Sequence, residues 1–244
     1  IVLPRPRITS ISASNSIVLL TWESIPGQTY RLQYQSHAGD TNWVELSDPT
    51  EGVGVLLFDL RGHGASEGDT LNGVDEANDL LGAVDYLLRR SDVDRGRIGA
   101  HGILLGASVV LRAAAGSDAI RAVVLESLGP ACLEDHGEPA TLWDALNHPV
   151  LWYIYHMGDF IAGKKVTEGV RRLLPRLGSR PVMLIATGRD AEVRFNRLCH
   201  SLVAGPKSLW DVPRAHRGIA YLLEPEAYRE KVRALFTRYL LAGR

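Results

Sequence analysis

In the stretch Gly99-Ala100-His101-Gly102-Ile103-Leu104-Leu105-Gly106-Ala107-Ser108, small residues stand two before and two after Leu104. That is the spacing of a tight turn from strand to helix, in which the two backbones approach closely and the middle residue is lifted clear of both. In a nucleophile elbow of this kind, an oxygen or sulfur at the tip attacks an acyl carbon while a base takes its proton. Leu104 carries no such atom, so acyl-enzyme chemistry cannot start there. Ser108 cannot be moved into its place, because Val110 and not a small residue follows at the required offset. Ser108 is expected to be a helix residue facing a neighbouring strand, and His101 a satisfied structural histidine.

Elements must position that turn. After Glu51 the chain has short apolar runs, Val53 to Phe58, Arg97 to Ala100, Arg121 to Leu125, Pro181 to Ala186 and Lys207 to Val212, separated by amphipathic stretches. The alternation predicts an α/β fold, a mostly parallel sheet flanked by helices. Val74, Ala77, Leu80, Leu81, Val84, Leu87 and Leu88 mark the buried face of one helix, with Asp75, Glu76, Asp79 and Asp85 facing water. Tyr228, Val232, Leu235, Phe236 and Tyr239 mark the last helix. Thr141 to about Leu174 is a helical insertion rich in aromatics, read either as a cap over the carboxyl edge of the sheet or as a peripheral helix pair with core aromatics.

Ile8 to Leu46 differs. Its period-two pattern, as in Tyr30-Arg31-Leu32-Gln33-Tyr34-Gln35, and its turns at Pro26-Gly27 and Gly39-Asp40 predict an antiparallel β segment. The chain is therefore divided into a β-rich segment, 1–50, and an α/β domain, 51–244.

With 244 residues, 45% hydrophobic and 23% charged, and a formal net charge of -1, the composition is that of a globular protein. It offers no basic surface for nucleic acid. No apolar run is long enough to span a bilayer, and Ile1 to Arg7 lack the layout of a signal peptide, so a soluble protein is expected, with the cytoplasm favoured. The start on Ile1 in place of methionine points to trimming. Cys132 and Cys199 lack metal or disulfide spacing and are expected to be two buried thiols. No phosphate loop, dinucleotide fingerprint or metal-ligand pair is present, so no cofactor is expected.

Val53-Gly54-Val55-Leu56-Leu57-Phe58-Asp59-Leu60-Arg61-Gly62-His63-Gly64-Ala65-Ser66-Glu67-Gly68, the elbow frame, Gly188-Arg189-Asp190-Ala191-Glu192-Val193 and Val212-Pro213-Arg214-Ala215-His216 together resemble the α/β-hydrolase superfamily, in particular its bacterial serine esterase and acyl-peptidase-like members. The resemblance runs from about Glu51 to the end. It implies that Leu104 occupies the position of the nucleophilic serine, that His216 is the base, and that Asp190, or alternatively Glu192, is the acid that orients the base. It further implies that the Leu105 amide is one oxyanion donor and that Arg61, Gly62, His63 and Gly64 form a wall of the substrate site, the glycines permitting a left-handed bend. Leu20-Thr21-Trp22 and Tyr30 to Tyr34 resemble part of a fibronectin type III module.

Three departures bear on activity. The serine is replaced by leucine, the His216 loop is one residue short of the family's turn, and the His-Gly loop that supplies the second oxyanion donor is missing, with His37-Ala38-Gly39 its nearest counterpart. The strand that precedes that loop is also missing, and a segment near Ile17 to Trp22 is expected to fill the gap. The function implied is a carboxylic ester hydrolase, weak or inactive as written. A triad without its nucleophile retains only ~10³–10⁴ of catalysis over water, unless His216 activates a water directly. The alternative is a non-catalytic pocket protein that binds an acyl ligand or a protein partner. A third reading is a recombined or engineered gene in which Leu104 replaced a serine. Oligomeric state is left open.

Overall fold

The computed structural model describes residues 8–14, 17–22, 33–34, 44–45, 55–64, 66–70, 73–138, 142–161, 168–188 and 190–241. The chain divides into two compact units, Ile1–Glu67 and Gly68–Arg244.

In the first unit, β-favouring runs of Ile, Val, Leu, Ser and Thr form β1 (Ile8–Ser14) and β2 (Ile17–Trp22), paired antiparallel with an irregularity between Ile8 and Ser10. β3 (Gln33–Tyr34) and β4 (Val44–Glu45) form a second antiparallel pair. The turns at Pro26-Gly27 and Gly39-Asp40 lie outside the described residues, as does His37-Ala38-Gly39. Two expectations are corrected. β2 pairs with β1 and is not a strand of the parallel sheet. Residues 55–60 run as irregular chain where the apolar run predicts a strand, its first residues Val53 and Gly54 lying outside the described residues. The physical reason is common to both: an apolar run becomes a strand only where another backbone meets its donors and acceptors. Among the described residues, no strand pairs with residues 55–60.

The second unit holds β5 (Ile98–Ile103), β6 (Ile120–Glu126), β7 (Val182–Thr187) and β8 (Lys207–Val212), all parallel, in the order β5-β6-β7-β8. β6 and β7 are nearly unbroken apolar runs because both their faces are covered. Val123, Leu125, Val182 and Leu184 enter one core, shared with α1 (Glu76–Arg89), α2 (Leu105–Gly116), α5 (Val170–Leu173) and α6 (Asp190–Leu202). Their neighbours Ala122, Val124, Met183 and Ile185 enter the other, shared with Leu235 and Tyr228 of α8 (Pro225–Phe236). Alternate side chains of a strand point to opposite faces, and this split follows from it.

Glu76 corrects the reading of α1. It is fully buried and not water-facing, and its Oε2 accepts the Gly73 N–H at 3.0 Å. A carboxylate in the first turn can be buried because it meets backbone donors there.

The insertion comprises α4 (Leu142–Ile161), with Pro149 inside it, and the short α5. Trp152, Tyr153 and Phe160 are exposed, which excludes the reading of them as core; the Trp143 side chain lies outside the described residues. Tyr155 Oη meets His136 Nε2 at 3.0 Å, tying α4 to α3 (Leu133–His136), which follows the carboxyl end of β6. No helix among the described residues is long and apolar enough to cross a membrane.

Candidate active site

β5 ends at Ile103 and α2 begins at Leu105, so the turn between them is Leu104 alone. Its φ of 55° and ψ of -113° lie where a residue with a Cβ is strained. The Leu104 N–H donates to the Glu126 carbonyl at 2.9 Å, and its carbonyl accepts the Ala107 N–H at 3.1 Å. Gly102 is required by contact: a Cβ there would lie 2.1 Å from the Gly106 carbonyl oxygen. Gly106 is not required in this way, since a Cβ on it meets nothing within 4 Å. The tip is presented outward, with Leu104 40% exposed.

Ser127, immediately after β6, is the other non-glycine residue with positive φ among those described, at 53°. The two strained residues therefore stand at the carboxyl ends of adjacent strands, the edge at which open α/β sheets place their ligands. The Leu105 N–H lies at the first position of α2, where helix geometry provides no intrahelical acceptor and the helix dipole is positive.

Beyond β8, the loop carrying His216 folds back over this edge. Ala215 accepts the Gly188 N–H at 2.7 Å, and Gly218 N–H donates to Ser127 Oγ at 2.9 Å and Thr187 Oγ1 at 3.1 Å. Gly218 has φ of 73°, and a Cβ on it would lie 2.9 Å from Leu104 Cδ1. The loop thus packs directly on the elbow tip, and only glycine fits.

The carboxylates are disposed differently. Glu192 has a side chain only 9% exposed, with Oε2 2.6 Å from Arg217 Nε, and Oε1 accepts the Thr187 hydroxyl at 3.2 Å. Asp190 is exposed at the first residue of α6, and Arg189 beside it lies outside the described residues. The His216 ring is exposed and makes no hydrogen bond to Asp190 or Glu192. Leu104, the His216 loop and Glu192 are brought into one assembly; an acid-to-histidine hydrogen bond is not formed.

Arg61, Gly62, His63 and Gly64 form a turn in the first unit, with positive φ at Gly62 (66°) and Gly64 (56°), as the bend requires. His63 Nδ1 meets the Arg61 carbonyl at 2.9 Å. Ser108 lies in α2 beside Gly73 in the turn before α1, its Oγ 3.1 Å from where a Gly73 Cβ would be.

Sequence reasoning missed Glu126 and Tyr228. Glu126 is fully buried; Oε1 accepts the Ala220 N–H at 3.0 Å and Oε2 accepts the Tyr228 hydroxyl at 2.7 Å. His101 Nε2 in turn meets Tyr228 Oη at 2.8 Å, consistent with its structural reading. Burial, and then the hydrogen bond to Glu126, raise the Tyr228 phenol, which keeps it a donor; burial of part of the ring lowers the His101 imidazole. The available signal was a carboxylate ending an otherwise apolar strand run. An open cleft lined by His136, His148, Glu134, Glu138, Arg171, Leu133, Gly137 and Leu198 lies away from this assembly, and neither Leu104 nor His216 lines it.

A parallel sheet with helices on both faces, a strained strand-to-helix elbow and a loop after the last strand packed on its tip define the α/β-hydrolase class. Solved structures of the same fold include the Pyrococcus furiosus esterase Pf2001, with TM-score 0.53 and 22% identity over 75% of this chain and 69% of that one. The α/β-hydrolase GrgF from Penicillium sp. sh18 has TM-score 0.55 and 18% identity over 76% and 79% of the two chains. The esterase EaEST from Exiguobacterium antarcticum has TM-score 0.51 and 14% identity over 73% and 80%. At these identities the likeness is one of fold. Within the class, the family model for X-Pro dipeptidyl-peptidase (S15 family) matches residues 28–149, and the chain belongs to that family. Comparison with curated protein sequences gives no match.

Proposed function

We propose that the chain is an acyl-hydrolase scaffold with a blocked nucleophile position, related to enzymes that cleave carboxylic esters and itself weak or inactive in that reaction. The observation that carries this reading is Leu104, an apolar residue held at φ 55° and ψ -113° on the tip of an elbow. In this reading the Leu105 amide is an oxyanion donor, His216 the base and Asp190 its orienting acid. Glu192 is the alternative acid, supported by its burial and its ion pair with Arg217 next to His216.

The test is hydrolysis of p-nitrophenyl butyrate by the chain as it stands, by Leu104→Ser and by Leu104→Ser with His216→Ala. An X-Pro p-nitroanilide serves as the amide counterpart, since the family description names that bond. We expect the leucine chain at background and Leu104→Ser at least tenfold above its His216→Ala control. Turnover should stay well below that of a complete site, because one absent oxyanion donor costs ~10²–10³ in kcat. Equal inactivity of Leu104→Ser and its control overturns the reading.

A second reading, a non-catalytic protein binding an acyl ligand, is supported by the exposed apolar tip and the exposed Trp152, Tyr153 and Phe160 of α4. Saturable binding of a fluorescent fatty acid, lost in Leu104→Asp, with no hydrolysis by Leu104→Ser, favours it over the first.

A further inference from the structure

Three side-chain acceptors at the carboxyl ends of β6 and β7 take the backbone donors of one short loop. Ser127 Oγ and Thr187 Oγ1 share the Gly218 N–H at 2.9 and 3.1 Å, and Glu126 Oε1 takes the Ala220 N–H at 3.0 Å. Glu126 also accepts the Leu104 N–H through its main-chain carbonyl, at 2.9 Å. A single residue thus holds the elbow tip with its backbone and the far end of the His216 loop with its side chain.

Glu126 is fully buried at the end of an apolar strand, where burying a carboxylate costs hydration that its partners must offset. Both its oxygens are met, the second by the Tyr228 hydroxyl at 2.7 Å. Each acceptor is fixed in direction, so the Ala220 N–H, four residues after His216, has one place to go.

We propose that Glu126, clamped by Tyr228, is a positioning residue for His216: it sets where the loop carrying that imidazole stands relative to the elbow tip. Glu126 does not touch the imidazole and acts through the backbone of the loop. The proposal rests on the reading of His216 as the base of the site.

The test uses the full chain with Leu104 in place, comparing the parent with Glu126→Gln, Glu126→Ala and Tyr228→Phe. NMR reads two quantities: the amide exchange rate of Ala220, and the His216 Cε1–H resonance through a pH titration. Glutamine keeps an acceptor for Ala220, so Glu126→Gln is expected to retain slow exchange and the parental His216 resonance. Glu126→Ala is expected to speed Ala220 exchange about tenfold or more and to move or split the His216 resonance, and Tyr228→Phe to do the same to a smaller degree.

If Ala220 exchange rises while the His216 resonance and titration stay parental, the role is merely structural and the proposal is overturned. If Glu126→Ala loses protection throughout β6 and β7, the chain has unfolded and Tyr228→Phe decides: a parental His216 resonance there overturns the proposal. The readout needs no turnover. A displaced His216 in a chain whose Leu104→Ser form is inert upholds the anchor and removes the hydrolase reading. Turnover by Leu104→Ser that is indifferent to Tyr228→Phe, with His216 unmoved, removes the anchor alone.

Discussion

Leu104 holds a backbone conformation that costs a residue with a Cβ about 1–3 kcal/mol, although it has no nucleophilic atom to present. Its surroundings impose the conformation: the Glu126 carbonyl fixes its N–H, and Gly102 lets the helix come within contact of the strand. Gly102→Ala would set a Cβ 2.1 Å from a helix carbonyl that cannot swing aside. We expect a loss of about 2–4 kcal/mol, at the upper end of overpacking, read from urea unfolding. Gly106→Ala, in open space within α2, should instead lie between neutral and about 1 kcal/mol more stable, because alanine is the better helix former. A Gly102→Ala chain as stable as the parent would contradict the close approach. At this scale the sequence was legible for Gly102, where spacing alone predicted a required small residue. It was not legible for Gly106, whose identity the packing does not demand.

Among elements, the α5 end of the insertion is held by one side chain of α3, which precedes it. Asp135, 2% exposed, accepts the N–H groups of Ala131 and Val170 on Oδ2, both at 2.9 Å, and of Arg171 on Oδ1 at 3.0 Å. Gly169 allows the approach, since a Cβ there would lie 2.8 Å from Asp135 Oδ1. Asp135→Ala strands three donors, and bonds to a charged acceptor carry about 1.5–3 kcal/mol each. We expect a destabilisation of about 3 kcal/mol or more, with amide exchange rising first at Val170–Leu173. Exchange unchanged in α5 would show that the carboxylate is not the clip. The sequence expected helix over this insertion, and α4 and α5 lie within the span it gave. It did not reveal whether the aromatics of α4 face a core or solvent, because a Trp or Tyr at helical spacing reads the same in both. Of the strand predicted at Val53 to Phe58, the described residues 55–58 do not form one, since pairing depends on a partner that no local pattern reveals.

For the molecule as a whole, the buried thiol of α6 couples stability to alkaline pH. Burial pushes Cys199 from the ordinary thiol value of 9.0 up to about 12. Between those values the unfolded chain gives up a proton that the folded chain keeps. The folded state then binds more protons, and its stability falls as pH rises, by up to ~1.4 kcal/mol per unit. Below pH 9 the group contributes no slope. Urea midpoints at pH 8 and 10.5 should therefore fall further in the parent than in Cys199→Ala, and parallel midpoints would sink the argument. Cys132, only half-buried, corrects the expectation of two buried thiols. Its loop position exposes it where the helical stripe of α6 encloses Cys199.

The sequence by itself determined the order of the α/β elements after residue 68, the strand-to-helix turn at Leu104, and the segments after β7 and β8 that bear Asp190, Glu192 and His216. Those properties reside in residue type and short-range spacing, which local periodicity and a Gly-x-Leu-x-Gly turn express directly. Only the tertiary structure decided that Glu192 turns to Arg217, that the His216 loop packs on Leu104, and that Glu126 binds Ala220, 94 residues away in sequence. A buried carboxylate takes whichever donors the fold leaves unmet. Which donors those are is known only when distant strand ends and loops have come together.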